Sequence, residues 1–119
     1  MSKLPIILMV CVLSGCVDLG RIGMHPDFKT AQFDGNQYQV SDCFYSAALN
    51  QHLSLMRDSP LPDGTKKYNL EDANYEAVAW VEIFEFNDKT GVNFFYAPNA
   101  PDVSSAISAM ISQCQKSLN

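Results

Sequence analysis

The stretch from Tyr75 to Ala97 constrains this chain more than any other. Tyr75 to Phe86 is rich in Val, Ile, Trp and Phe, side chains that fit a pleated, half-buried surface. Asn87-Asp88-Lys89-Thr90-Gly91 follows as a turn of hairpin length, and Val92 to Ala97 returns as the partner strand. An antiparallel sheet therefore lies at the centre of the fold. Lys67 to Glu71 alternates weakly and predicts another strand, and Gln37-Tyr38-Gln39-Val40 predicts a short first one. The hairpin is apolar on both faces: Ala77, Ala79, Val81 and Ile83 on one, Val78, Trp80, Phe84 and Phe86 on the other. Phe94, Phe95 and Tyr96 add aromatic bulk, but the loop length leaves their register open by one residue.

Two helical patterns flank these strands. Ser41 fits an N-cap with Asp42 in the first turn, opening a helix to about Met56 in which Tyr45, Leu49, His52, Leu53 and Met56 recur at helical spacing. Asp58-Ser59-Pro60-Leu61-Pro62-Asp63-Gly64 then forms a loop. Asn99-Ala100-Pro101-Asp102 opens the last helix, with Val103, Ile107, Met110, Ile111, Cys114 and Leu118 as its apolar stripe. The predicted class is α+β: a two-layer domain with an antiparallel sheet of three to four strands and two helices, in the order (β)αβββα.

The first fifteen residues follow another logic. Lys3 precedes an apolar run, Leu4 to Leu13, and then Ser14-Gly15-Cys16, the layout of an export signal. The run is too short to be a stable span, which needs about 20 residues. Leu13-Ser14-Gly15-Cys16 resembles the lipobox of bacterial lipoproteins: a branched residue, two small ones, then cysteine. The resemblance covers this segment alone. It implies cleavage before Cys16 and a thioether-linked diacylglyceryl group on that thiol, so that the lipid bilayer is itself a partner. Cys11 follows the bulky Met9 and Val10, does not fit the box, and leaves with the signal. Val17, not Asp, follows Cys16; by the sorting habit of such lipoproteins this favours the outer membrane, facing the periplasm.

The expected organisation is a signal at 1–15, a lipidated tether at 16–37 and one periplasmic domain at 38–119. Within the tether, Leu19, Ile22, Met24, Phe28 and Phe33 are candidates to fold back onto the domain. The full chain has a formal charge of −5, and losing Lys3 takes it to −6. With no basic cluster beyond Lys66-Lys67, nucleic acid is excluded as a partner class. Cys43 and Cys114 remain as an even pair in an oxidising compartment, which predicts a structural disulfide.

No constellation points to catalysis. His25 lies in the tether and His52 stands alone in a helical pattern, where a general base needs a partner within about 3 Å. No serine sits in a Gly-x-Ser-x-Gly elbow, and no phosphate or calcium loop occurs. Glu76 and Glu82 share a strand face, but edge or solvent-facing charges explain them more simply. The expectation is a non-enzyme without metal or cofactor. Two helices cover one face of a small sheet. The second is covered by the Phe28–Phe33 segment, wrapped into the core, or offered to a partner as a face containing Trp80, Phe84, Phe86, Phe94 and Tyr96. The leading function is an anchored accessory subunit that binds an envelope protein. The alternative is a periplasmic inhibitor or a module for a small apolar ligand, and a small enzyme ranks last.

Overall fold

The computed structural model describes residues 25–119. Its elements are β1 (Asp27–Phe33), α1 (Gln37–Asn50), β2 (Ser54–Arg57), β3 (Lys66–Glu71), β4 (Ala77–Phe86), β5 (Lys89–Tyr96) and α2 (Pro101–Leu118). The five strands form one antiparallel sheet in the order β1-β5-β4-β3-β2, with both helices on one face. The α+β class and the two helices agree with the sequence reading; the sheet has five strands where three to four were expected.

Both extra strands come from segments whose periodicity misleads. Residues 27–33, assigned to the tether, form the edge strand β1, pairing with β5 from Asp27↔Tyr96 to Phe33↔Thr90. Ala31 and Phe33 enter the core while Phe28 points the other way, so the two phenylalanines extend the sheet instead of covering it. Residues 37–40 are the first turn of α1, not a strand. Asn36 caps this helix: its side chain accepts from the Gln39 N–H, and the Gln39 side chain accepts from the Asn36 N–H. Ser41 is not the cap. It lies inside the helix, its hydroxyl donating to the Tyr38 carbonyl. The helix stops at Asn50, the chain turns through His52 at a φ of 60°, and Ser54–Arg57 pairs with β3 as β2.

The β4–β5 turn is two residues long. Asn87 and Asp88 both have positive φ, which Asn and Asp tolerate better than other non-glycine residues, and Phe86↔Lys89 closes the ladder. Gly91 lies inside β5, with the Phe84 and Phe86 rings stacked over the space where a side chain would stand.

The core fills the space between helices and sheet. Phe44 of α1 meets Phe33 at 5.5 Å and Phe94 at 5.3 Å between ring centroids, edge to face. Val40, Ala47 and Ala48 of α1 and Ile107 and Met110 of α2 pack with Leu70, Ala79, Val81, Ile83 and Val92. Cys43 and Cys114 are bonded, joining the first half of α1 to the last turns of α2 across 71 residues.

Candidate functional site

The settled register decides which aromatic side chains share a face. Strand parity sends Ala79, Val81 and Ile83 of β4 to the helices, and Trp80, Glu82, Phe84 and Phe86 to the opposite, outer face. The register shift opposite Leu70/Glu71 breaks that parity at the start of β4: Ala77 is exposed and Val78 packs against the core, the reverse of the sides expected from the sequence. In β5, Phe94 and Tyr96 go to the helix side, where Phe94 is fully buried and the Tyr96 hydroxyl lies 3.5 Å from Ser104 Oγ. Phe95, Asn93 and Gly91 face outward. Of the five residues proposed for one binding face, Trp80, Phe84 and Phe86 therefore stand on the outer face, and Phe94 and Tyr96 belong to the core. Phe28, Phe95 and Met56 take part in the outer face instead. Their signal was hidden in the undetermined register of β5 and in two strands not recognised as strands.

These residues align. Phe28↔Phe95, Phe95↔Trp80, Trp80↔Asn69 and Asn69↔Met56 are successive cross-strand partners, so one row crosses the whole sheet from β1 to β2. Phe28 and Phe95 are 6.4 Å apart between centroids. The Lys67 ammonium stands 5.4 Å from the Trp80 ring centroid and 3.8 Å from an Asp58 carboxylate oxygen. The next row, Thr30, Asn93, Glu82 and Lys67, is polar. Beyond it the Phe84 and Phe86 rings stack at 5.6 Å over Gly91. Phe28 is 64 % exposed and Met56 46 %, while Trp80, Phe84, Phe86 and Phe95 are part-buried. Among the described residues both helices lie on the other side, so this face carries aromatic rings without a covering layer.

Two clefts among the described residues are polar. A cleft of about 460 Å³ lies between the N-terminus of α1 and the β4–β5 turn, lined by Asp34, Glu85, Asp88 and Lys89 among others. A second, of about 540 Å³, lies where Asp63, Glu82 and Glu85 meet Gln37. Glu85 already accepts from the Gln37 N–H and side-chain amide, and Lys89 pairs with Asp34 at 2.9 Å. The backbone N–H of Thr65 holds the Asp63 carboxyl below its ordinary value. Both clefts are open, and neither is an apolar cavity of the kind that encloses a small ligand.

The candidate catalytic residues do not gather. His52 is exposed just beyond α1, Glu76 sits in the β3–β4 loop, and Glu82 stands mid-strand on the outer face. No group of three His, Cys, Asp or Glu side chains among the described residues is placed to hold a metal ion. No described helix is long and apolar enough to cross a membrane. Cys16, the predicted lipid site, lies outside the described residues. No family model, curated protein or solved structure matches this chain.

Proposed function

We propose that this chain is a lipid-anchored accessory subunit of a bacterial envelope, held to the outer membrane through Cys16 and binding an envelope protein with the outer face of its sheet. One observation carries the reading: the Phe28–Phe95–Trp80 row and Met56 lie in register on the face away from the helices. An antiparallel sheet with a solvated face ordinarily places polar side chains there. Exposed apolar patches mark interaction sites, and aromatic residues are enriched in the centres of protein interfaces. The polar Thr30–Asn93–Glu82–Lys67 row beside them supplies hydrogen-bonding groups that orient a partner.

Two variants test the two halves of this proposal. In cells fed an alkyne-labelled fatty acid, wild-type chain takes up label and fractionates with the outer membrane. Cys16→Ala takes up none, and accumulates as precursor or leaves the membrane. Label on Cys16→Ala, or unlabelled wild type, contradicts the anchor. Trp80→Ser with Phe95→Ser leaves the helix-side core untouched, so the chain should stay folded and anchored while losing its partner.

A further inference from the structure

The two edges of the sheet are unequal. β2 is only four residues long and runs into Asp58-Ser59-Pro60, a short edge of the kind that discourages further pairing. β1 has seven residues and no proline or bulge within it. The two-residue turn makes Phe86↔Lys89 a hydrogen-bonded pair, and such pairs alternate along an antiparallel ladder. Counting across β5, residues 27, 29, 31 and 33 turn their backbone groups to β5, and Phe28, Thr30 and Gln32 turn theirs away from the sheet. The Asn119 side-chain amide donates to the Gln32 carbonyl at 3.4 Å, and the Asn119 side-chain oxygen accepts from the Asp34 N–H at 3.0 Å, closing that end. At the other end Pro26 has a carbonyl but no N–H. Between these stops, the backbone groups of Phe28 and Thr30 face outward.

We propose that this edge pairs with the same edge of a second copy of the chain, antiparallel and centred on Phe28. In that register the Phe28 N–H donates to the Phe28 carbonyl of the second copy and the reverse, and each Thr30 N–H donates to a Pro26 carbonyl. Charge selects the register. Asp27 falls opposite Lys29 of the second copy and Lys29 opposite its Asp27, two opposite-charge pairs of the sort that stabilise neighbouring strands. Centring on Thr30 instead sets Lys29 against Ala31, forms no such pair, and displaces the Asn119 cap from Gln32. The pairing is isologous, as a two-fold dimer requires. It brings the two Phe28 rings side by side, so the aromatic rows of both copies join across a ten-stranded sheet whose outer face stays free. The inference stands on the fold and its charges, independent of the lipid anchor and of any other partner.

Cysteine scanning in the full-length chain tests it. Opposed residues of a hydrogen-bonded antiparallel pair have Cα atoms about 5.5 Å apart, within disulfide reach. Envelopes carrying Phe28→Cys, mildly oxidised and run without reductant, should give a covalent dimer; those carrying Gln32→Cys should give little. Adding Asp27→Lys to Phe28→Cys should lower the dimer yield several-fold, and adding Lys29→Asp to that should restore it. Absence of dimer from Phe28→Cys, equal dimer from both positions, or no rescue by the charge exchange would overturn the proposal. A measurement without substitutions guards against misfolded variants. Light and heavy-nitrogen-labelled wild-type chains are mixed and treated with a carbodiimide. Asp27 should then join to Lys29 between light and heavy copies; crosslinks confined to single copies would count against the dimer.

Discussion

At the residue scale, burial decides which side chains matter most for stability. Phe44 is fully buried between Phe33 and Phe94, and Phe44→Ala leaves a ring-sized void. Its urea unfolding should show a loss of about 3–5 kcal/mol. Tyr68 supplies a pH test. Burial pushes its phenol above the ordinary tyrosine value, with the Ser41 hydroxyl pulling weakly the other way. A raised folded-state value means that the fold favours the protonated form. The contribution is whole below about pH 10, the unfolded value, and is lost as pH rises through the higher folded value. Unfolding free energy should therefore fall on the alkaline side, and less steeply in Tyr68→Phe; an unchanged slope would contradict the burial argument. The expected pairing of Cys43 with Cys114, reached by assigning Cys11 to the signal and Cys16 to the lipid, agrees with the bond in the structure. Residue identities could not place Phe94, Phe95 and Tyr96, whose faces depend on one residue of turn length.

At the element scale, long and strongly patterned segments were legible and short ones were not. The α2 stripe, the β4 alternation from Ala79 onward and the existence of the hairpin match the structure; Ala77 and Val78 do not follow it, because the register shifts opposite Leu70/Glu71. The start of α1 was obscured because Gln37-Tyr38-Gln39-Val40 alternates like a strand, although Asn36 and Gln39 stand at capping-box spacing. β1 and β2 are edge strands, where exposure relaxes the alternation that marks a central strand, so Asp27–Phe33 reads as tether and Ser54–Arg57 as helix end. Gly91 reads as a turn residue, yet its role is close approach. An added Cβ would lie 2.7 Å from the Phe84 ring and 3.0 Å from that of Phe86. Gly91→Ala must therefore push the stacked rings aside. It should lower the thermal midpoint, with a cost of about 1–3 kcal/mol as for other overpacked sites. A midpoint at or above wild type would mean that the rings swing outward freely.

At the scale of the whole molecule, one covalent bond and one sheet face that no described element covers stand out. The Cys43–Cys114 bond closes a loop of 71 residues between the two helices. Replacing both cysteines by alanine should lower unfolding free energy by roughly 4 kcal/mol in the chain-entropy model, a large share of the ~5–15 kcal/mol typical of a small domain. Coincident urea curves for the pair and the double variant would show that the bond contributes nothing. That the hairpin is apolar on both sides was readable from β4 alone. The make-up of the outer face was not, since Phe28, Phe95 and Met56 reach it from three other strands. The most direct test of the account is site-specific photo-crosslinking in cells, with the reactive side chain at Trp80 or Phe95 and, as a control, at Ser108 on the exposed side of α2. A reproducible adduct with one envelope protein from the two sheet positions, absent from Ser108, is the predicted result. No adduct from the sheet, or the same adducts from Ser108, would contradict the claim that this face binds a partner.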